Sequence, residues 1–298
     1  MDRLQTLEMF IAVAEAESFA GGARAMGLSA PSATRGINAL EDRLGTRLFT
    51  RTTRRVRLTD AGKAYLEDVQ QILHHLQDAD DAASGAATNP IGRLRLTCSH
   101  EFGRIYVLPV LREYLDTYPN VSADVVMVDR VVNLVEEGFD IAVRIAPLPS
   151  SDLTAVRVGR VRRVVCGAPS YFQSHGLPRS PEDLPSHQMI AISPVSPTPN
   201  WTFGRAADHI VRINPRLTVS SVAAGIEAAR AGWGLVRNLS YQIGPDLESG
   251  KLQTVLEDFE PEPLPIHLVH VEGRRAPAKV RAFIDLARDR LRSVAVLN

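Results

Sequence analysis

The strongest constraint on this chain is a pair of predicted helices joined by a tight turn at Gly27. Ser18 is an N-cap candidate for the first helix, and Gly27 is the left-handed stop that ends it. Ser29 caps the second helix, which carries Pro31 in its first turn and ends at Gly45. Two capped helices around a tight turn, the second with an inward apolar stripe, are typical of a helix-turn-helix.

An arginine-rich segment follows the second of these helices. Two short extended runs, Leu48–Thr50 and Val56–Leu58, flank a polar tip, and this pattern predicts a β-hairpin wing. Residues 35–63 contain eight Lys and Arg against three Asp and Glu, whereas residues 64–88 contain five Asp and Glu and no Lys or Arg. The whole chain has a net charge of zero, but this local positive excess indicates a site for a polyanion.

A long helix is predicted after Thr59, with one apolar stripe on an acidic background. The stripe consists of Tyr65, Val69, Ile72, Leu73, Leu76, Ala79 and Ala83. Either it pairs with the same helix of a second chain or it packs on its own domain; we favour the dimer. The small and polar residues of Ser84–Gly92 then predict a hinge.

The rest of the chain alternates between strand and helix patterns. Strands are predicted at 94–99, 121–128, 141–145, 161–167, 189–193, 217–220, 234–236 and 266–271. Helices are predicted at 105–118, 131–137 and 278–291. This alternation predicts α/β layers built on parallel strands.

Composition excludes several classes of protein. Hydrophobic residues make up 45% and charged residues 23% of the chain, values that are ordinary for a soluble globular protein. No signal-peptide core and no apolar run of about 18 residues occurs. The two cysteines, Cys98 and Cys166, form no disulfide framework. We therefore expect a cytoplasmic protein with no membrane partner.

No pattern of an enzyme active site stands out. The sequence has no glycine-rich phosphate loop and no nucleophile elbow. His74, His75, His267 and His270 have no companions at metal-ligand spacing. We therefore expect neither catalysis nor a bound metal or cofactor.

Groups of residues in register carry a family resemblance over essentially the whole chain. In the first half they are Phe10-x-Ala12-Val13-Ala14-Glu15, Ser18-Phe19, Ala23-Arg24-x-x-Gly27-Leu28-Ser29, Pro31, Arg35-x-Ile37, Leu40-Glu41-x-x-Leu44-Gly45, Leu48-Phe49-x-Arg51 and Leu58-Thr59-x-Ala61-Gly62. In the second half they are Leu108-Pro109, Tyr118-Pro119, the run from Glu137 to Arg144, Gly232-x-Gly234-Leu235 and the run from Ala278 to Asp285. A chain with these groups resembles the LysR-type transcriptional regulators.

The resemblance implies an α+β protein with three parts. They are a winged helix-turn-helix at 1–59, a linker helix at 60–88 that pairs antiparallel in a homodimer, and an effector-binding domain at 89–298. That last domain resembles periplasmic solute-binding proteins, with lobe I at about 90–161 and 267–298 and lobe II at about 162–266. The implied partners are double-stranded promoter DNA and further copies of the chain, as a dimer and a tetramer. RNA polymerase is a further candidate.

The predicted DNA contacts lie at the start of the second helix of the motif and in the wing. The N-terminal part of that helix enters the major groove, so its candidate residues are Ser29, Ala30, Pro31, Ser32, Thr34 and Arg35. Arg35 can pair with a guanine edge or with a phosphate. The wing candidates are Arg51, Arg54 and Arg55, which we expect to meet phosphates or the minor groove. Related proteins commonly have glutamine where this chain has Ala30.

By resemblance, the effector cleft is lined by loops that follow the strands. Its candidate residues are Ser99, His100, Glu101, Phe102, Asp129, Arg130, Arg144, Ser193, Trp201, Ser220 and Ser221. Ser220 and Ser221 precede a predicted helix whose free N–H groups can bind an anion. The expected effector is a small molecule of unknown identity, with a carboxylate as the default class.

Two further features leave alternatives open. Where the family usually has Leu-Pro, this chain has Arg237 and Asn238 within a run of apolar residues, and these either bind a ligand or alter the packing. Cys98 and Cys166 offer a redox-sensing version of the same regulator, although both lie in apolar strand contexts. A regulator that responds to no effector is the remaining alternative.

Overall fold

The computed structural model describes residues 2–51, 56–83, 90–149, 153–193, 200–271 and 276–298. Its helices are α1 (Arg3–Glu15), α2 (Phe19–Ala25), α3 (Ala30–Leu44), α4 (Asp60–Ala83), α5 (His100–Phe102), α6 (Leu108–Thr117), α7 (Pro169–His175), α8 (Val222–Arg230), α9 (Gly244–Glu248) and α10 (Ala278–Arg292). Its strands are β1 (Phe49–Arg51), β2 (Val56–Leu58), β3 (Gly92–Cys98), β4 (Val121–Met127), β5 (Ile141–Ile145), β6 (Thr154–Val161), β7 (Arg163–Gly167), β8 (Met189–Ile192), β9 (Asn200–Phe203), β10 (His209–Arg212), β11 (Leu217–Val219), β12 (Leu235–Leu239), β13 (Gln253–Val255) and β14 (Leu264–His270). The chain divides into two units, Met1–Ala87 and Thr88–Asn298.

The predicted helix-turn-helix is confirmed by its caps. The hydroxyl of Ser18 accepts a hydrogen bond from the amide of Gly21 at 3.1 Å. The hydroxyl of Ser29 accepts one from the amide of Ser32 at 3.3 Å. Gly27 has a φ of 66°, as expected for a left-handed stop. The local sequence therefore fixes where α2 and α3 begin and where α2 ends.

Gly22 has a packing role that helix propensity alone does not reveal. A mid-helix glycine costs about 1 kcal/mol relative to alanine. A Cβ at Gly22 would lie 2.6 Å from the backbone nitrogen of Val13 and 2.7 Å from its Cα. Glycine is therefore required where α2 crosses the backbone of α1.

The wing begins one residue later than predicted and is fixed to α3 by a buried carboxylate. β1 and β2 are antiparallel, with Phe49 opposite Leu58. Glu41 accepts hydrogen bonds from the amides of Leu48 and Phe49 at 2.8 and 3.0 Å and pairs with Arg47 at 2.7 Å. Burial alone would raise the pKa of Glu41, but the bonds from Arg47 and the two amides hold it below its ordinary value. The wing tip, residues 52–55, lies outside the described residues.

The apolar stripe of α4 divides into two parts. Val69 belongs to the core of the first unit, and Tyr65 and Leu73 pack against that core. Ile72 is 54% exposed and Leu76 is 38% exposed. One part of the stripe therefore packs on its own unit, whereas the other is uncovered in the single chain, and its pairing with a second copy stays a prediction.

The second unit contains two five-stranded sheets, with orders β4-β3-β5-β14-β6 and β11-β8-β12-β7-β13. We name the first sheet with α5, α6 and α10 the first lobe. The second sheet with α7, α8, α9 and the β9–β10 hairpin is the second lobe. The expectation of parallel strands is only partly correct, because β14 is antiparallel to β5 and β6, and β7 is antiparallel to β12 and β13. The reason is that β6 leads the chain out of the first lobe and β14 brings it back in the opposite direction.

Several local elements differ from the sequence expectation. The helix predicted at 131–137 is a single turn, since the side-chain oxygen of Asn133 accepts from the amide of Val135 and Gly138 has a φ of 65°. The helix predicted from residue 105 begins at His100 and contains a π-helical segment, Gly103–Val107. β6, β13 and the β9–β10 hairpin were not predicted. No helix in the described part of the chain has the length and apolar character needed to cross a bilayer.

Candidate functional site

The first turns of α3 present small and polar groups next to one arginine. Pro31 and Arg35 are exposed, whereas Ala30, Ser32 and Thr34 are partly buried. A guanidinium nitrogen of Arg35 lies 3.4 Å from the hydroxyl of Ser32. Arg35 has no acidic partner among the described residues. This end of the helix therefore offers a cation to an outside acceptor.

Two hydroxyls near this surface already have partners in the helix. Thr34 donates to the carbonyl of Ala30 at 3.0 Å, so it can offer only its methyl group or a lone pair to DNA. The hydroxyl of Ser29 is occupied by the cap and lies 2.9 Å from the hydroxyl of Ser32. Specific donation from this surface therefore rests mainly on Arg35.

The wing contributes a cation that the candidate list did not include. Arg57 is exposed on β2 and lies opposite Thr50. Arg51 ends β1, but its side chain is outside the described residues, as are Arg54 and Arg55. The sequence signal for Arg57 was its place in the basic block, and its strand position puts it next to the tip.

A cavity of about 490 Å³ lies between the two lobes of the second unit. Its walls combine an apolar majority with a few polar groups. The first lobe provides Thr97, Cys98, Ser99, Val128, Asp129, Arg130, Val131, Val132, Ala142, Val143, Arg144, Ile145, Ala146, Pro147, Leu148 and Pro149, and Val222, Leu239, Tyr241 and Gln242 follow later in the chain. A largely apolar cleft of this size with a few convergent polar groups is typical of a small-molecule site.

Four of the predicted effector residues meet in this cavity: Ser99, Asp129, Arg130 and Arg144. Arg130 donates to both carboxylate oxygens of Glu137, at 2.8 and 2.6 Å, so its charge is already neutralised. Arg144 donates to the backbone carbonyl of Val132. No acidic residue in the described part of the chain pairs with Arg144, which leaves it as the cation of the cavity.

Two acidic residues among the effector candidates, Glu101 and Asp129, are placed differently. Glu101 pairs with Arg104 at 2.7 Å and does not line the cavity. Asp129 accepts from the amide of His100 at 3.2 Å, at the first residue of α5. Asp129 therefore remains in the cavity lining as a hydrogen-bond acceptor, together with the cation of Arg144.

Tyr241 and Gln242 line the cavity but were not among the candidates. They lie in a 3₁₀ turn, Ser240–Gln242, and the amide of Gln242 donates to the hydroxyl of Tyr241 at 3.3 Å. Tyr241 follows a strand of the second lobe, yet its ring is 5.4 Å from that of Phe102 in the first lobe. Burial is the largest cause that raises the pKa of Tyr241, so its hydroxyl stays neutral. No local pattern identifies this residue, because only the crossing of the chain between lobes brings it to the cavity.

The other predicted effector residues lie elsewhere, and two of them need correction. Phe102 and Trp201 are buried in the hydrophobic cores of the first and second lobes. The resemblance implied that both line the cleft, but their burial makes them part of the cores. The remaining positions are at or near the surface: His100, Glu101, Ser193, Ser220 and Ser221. Ser221 caps α8 by accepting from the amide of Ala224 at 3.4 Å, next to the lining residue Val222.

Both cysteines are buried and free, and they belong to different sheets. Burial raises the pKa of the Cys98 thiol to about 12, with a smaller contribution from Asp129. Burial also raises the pKa of the Cys166 thiol to about 12. Because the thiolate is the reactive form, both side chains behave as small hydrophobic groups at neutral pH.

Each of the two units matches a known protein family. Residues 4–63 match the family described as bacterial regulatory helix-turn-helix protein, lysR family. Residues 87–292 match the LysR substrate binding domain. The chain belongs to the LysR family of transcriptional regulators. Its second unit is therefore the effector-binding domain of a LysR-type regulator, and the cavity lies within that domain.

Relatives and solved structures support this membership along the whole chain. The HTH-type transcriptional regulator YhjC of Escherichia coli is 33% identical over 96% of both chains. The full-length structure of AphB, a Vibrio cholerae virulence activator, has a TM-score of 0.64 at 26% identity and covers 96% of this chain and 98% of its own. Full-length CbnR, solved with its target DNA, shares the fold with a TM-score of 0.59 at 20% identity, over 97% of this chain and 99% of its own.

Proposed function

We propose that this LysR-type regulator binds promoter DNA as a dimer and changes its regulation of transcription when a small carboxylate occupies the cavity between the lobes. The observation that carries the proposal is the composition of the cavity: about 490 Å³ with apolar walls and Arg144 as its cation. Each part of the proposal rests on a different group of residues. The setting is the cytoplasm, with RNA polymerase as a further candidate partner.

The DNA surface is formed by the start of α3 and by the wing. Arg35 is exposed at the N-terminal part of α3, which is the part that reads base edges in a helix-turn-helix. Arg57 extends the positive surface along β2 and is suited to phosphate contact. CbnR, which shares this fold, has been solved in complex with its target DNA, and this supports the proposal.

The dimer is formed by the linker helix α4. Ile72 and Leu76 are one helical turn apart and are both exposed in the single chain. Large apolar side chains on a long acidic helix favour pairing with the equivalent helix of a second copy. The same helix keeps Val69 in the core of its own unit, so pairing does not require it to detach.

The effector is held by charge at one point and by apolar contact over most of its surface. Arg144 binds the carboxylate, while the hydroxyl of Ser99 and the neutral phenol of Tyr241 are available for hydrogen bonds. The hydroxyl oxygen of Ser99 is buried in the cavity wall next to the phenol of Tyr241, with which it interacts. Asp129 accepts from a donor on the ligand, which favours a hydroxylated or amino-substituted carboxylate over a bare one.

The redox-sensing alternative is disfavoured by the state of the thiols. Both are buried, and each has a pKa raised to about 12, so the thiolate is scarce at neutral pH. A regulator without an effector is the remaining alternative, and the following experiment separates it from the effector proposal.

The test is the melting temperature of the full chain with a panel of small aliphatic, hydroxylated and aromatic carboxylates. At a hundredfold excess over the dissociation constant, binding adds about 2.7 kcal/mol, which is enough to shift melting by degrees. We expect a hit whose shift is lost in Arg144→Met and kept in Arg112→Met, where the replaced arginine is exposed on α6. The absence of any hit, with DNA binding intact, would contradict the effector proposal and leave the DNA-binding proposal standing.

A further inference from the structure

We propose that the second lobe contains an oxyanion-binding site, separate from the cavity, in which Arg163, Arg237 and the indole N–H of Trp201 bind a phosphate, sulfate or dicarboxylate. This site accounts for Arg237, whose use the sequence left open. The inference rests on the second lobe alone and does not depend on the proposed effector.

Strand pairing places the two arginines side by side. In the antiparallel pair of β7 and β12, Arg237 lies opposite Val165 and Leu239 lies opposite Arg163. Side chains alternate along a strand, so Arg163 and Arg237 project from the same face of the sheet. Diagonal neighbours of this kind are about 7–8 Å apart at the backbone, and long side chains can therefore converge on one small ion. Asn238 projects from the opposite face and takes no part.

The face that carries the arginines is covered by the β9–β10 hairpin. The guanidinium carbon of Arg237 lies 5.1 Å from the ring centroid of Trp201, which is only 1% exposed. Val165 and Leu235, on the same face, pack with Trp201 in one hydrophobic core. Because one flat side of the Arg237 guanidinium faces the ring, its N–H edges are left for an acceptor.

Neither arginine is neutralised by the protein. Among the described residues, no ion pair or side-chain hydrogen bond involves Arg163 or Arg237. Burial, and next the neighbouring charge of Arg163, lower the pKa of Arg237 to about 10. The adjacent Arg162 provides the contrast, because both oxygens of the Glu260 carboxylate accept from it at 3.1 Å. A half-buried pair of like charges is unfavourable unless a counter-charge joins it.

The unsatisfied groups identify the missing partner as an acceptor. A buried guanidinium nitrogen of Arg237 and the indole nitrogen of Trp201 have no hydrogen-bond partner in the described part of the chain. All of the groups available here are donors, and two of them are cationic. An oxyanion supplies several acceptors and negative charge in one compact group, and guanidinium groups bind it in a bidentate manner. Two arginines favour a doubly charged anion.

The site is next to the cavity but is not part of its lining. Neither arginine nor Trp201 lines the cavity, whereas Leu239, two residues beyond Arg237 on the same face of β12, does. An anion bound here would hold the β9–β10 hairpin against β7 and β12 on one side of the cavity wall. The substitutions that test this site therefore differ from those that test the effector proposal.

The experiment measures the melting temperature of the full chain against sodium phosphate, sodium sulfate, sodium malonate and sodium acetate, with sodium chloride added to constant ionic strength. We expect saturable stabilisation by the doubly charged probes that reaches several degrees and exceeds that by acetate. Arg237→Met and Arg163→Met should each remove the saturable shift. Arg216→Met, which replaces an exposed arginine of the same lobe, should keep it. A preference for phosphate and sulfate over malonate, or the reverse, identifies the class of oxyanion.

A fluorescence titration provides an independent readout if a methionine variant fails to fold. The chain has two tryptophans, and Trp233 is 55% exposed. In a Trp233→Phe background the emission therefore reports on Trp201, and we expect phosphate or malonate to change it saturably while chloride does not. The proposal is overturned if no probe gives a saturable change, or if Arg237→Met and Arg216→Met respond alike, since the donors would then be satisfied within the protein.

Discussion

Two charge clusters, one in each lobe of the effector-binding domain, differ in how their charges are paired. In the first lobe, Asp140 accepts from the backbone amide of Arg95 at 2.7 Å and lies 3.9 Å from the buried amine of Lys279. In the second lobe, Arg163 and Arg237 lie together on the sheet face that Trp201 covers, with no acidic partner among the described residues. Lys279 is thus neutralised within the first lobe, whereas Arg163 and Arg237 need a group from outside the protein.

Two sequence features illustrate this difference, one that matches the family pattern and one, at Arg237, that departs from it. The run Glu137-Gly138-Phe139-Asp140 is used internally, since Arg95 donates to the carbonyl of Gly138 and lies 5.2 Å from the ring centroid of Phe139. Arg237 stands at a position where the resemblance predicted an apolar residue, and its contacts within the lobe are incomplete. A charged residue with a full set of internal partners therefore stabilises the fold, whereas one without them indicates a binding site for a ligand.

The largest effect is expected from removing an internal partner in the first lobe. Asp140→Ala should lower the free energy of unfolding by about 3 kcal/mol, because it leaves a buried amine and a backbone amide without their carboxylate. Urea denaturation of the full chain measures this. The control is Asp124→Ala in the same lobe, whose pair with Arg93 is more exposed and should contribute less than about 1 kcal/mol. Equal losses of unfolding free energy in the two variants would show that the buried contacts of Asp140 stabilise the fold no more than a surface ion pair does.

The same distinction applies to the cations of the DNA-binding unit. Arg35→Ala should weaken binding to the operator by about 2 kcal/mol more than binding to random DNA, if Arg35 pairs with a base. Arg57→Ala should weaken both and reduce the salt dependence by about one counterion, because it meets a phosphate. Fluorescence anisotropy at several salt concentrations measures both quantities. If the two variants change binding to random DNA and to the operator equally, the assignment of separate roles is wrong.

The first lobe also contains a buried histidine whose ring lacks a full set of hydrogen-bond partners. His270 on β14 is buried, and one of its ring nitrogens has no hydrogen-bond partner in the described part of the chain. Burial lowers the pKa of His270 below its ordinary value of 6.5, so on acidification the unfolded chain takes up a proton before the folded one does. Stability should therefore be unaffected above this value and fall as the pH drops below it, by at most about 1.4 kcal/mol per pH unit.

Urea denaturation at a series of pH values from about 5 to about 8 measures this effect, because that range spans the ordinary histidine pKa. His270→Asn removes the titrating ring and should flatten the curve. His209→Asn, which replaces a more exposed histidine paired with Glu182, is the control and should keep the slope contributed by His270. An unchanged slope in His270→Asn would assign the pH dependence to other groups.

The smallest expected change in stability is that of Arg237→Met, and it is opposite in direction to that of Asp140→Ala. In a buffer with chloride as the anion, Arg237→Met should leave stability unchanged or raise it by about 1 kcal/mol, because it removes a buried charge that has no internal partner. Urea denaturation beside Asp140→Ala measures the difference directly. A loss as large as that of Asp140→Ala would mean that Arg237 is satisfied within the protein.

Local chemistry made the first unit predictable from the sequence. The caps at Ser18 and Ser29, the stop at Gly27 and the start of α4 after Thr59 are all set by hydrogen bonds to residues within four positions in the chain or by a single backbone angle. The basic wing was also readable, because charge and strand pattern are local. In the cavity, Ser99 and Arg144 were implied by the family resemblance, and both lie at or next to the carboxyl ends of strands that the sequence identifies.

What the sequence by itself determined is therefore the family, most of the order of the elements and the basic surface that we propose meets DNA. Only the tertiary structure decided that Tyr241 reaches the cavity, that Trp201 is buried, and that Gly22 allows two helices to touch. It also decided that Arg163 and Arg237, 74 positions apart in the chain, become neighbours without a counter-charge. The physical reason is that caps and periodicity act over a few residues, whereas burial and charge pairing depend on which distant segments the fold brings together.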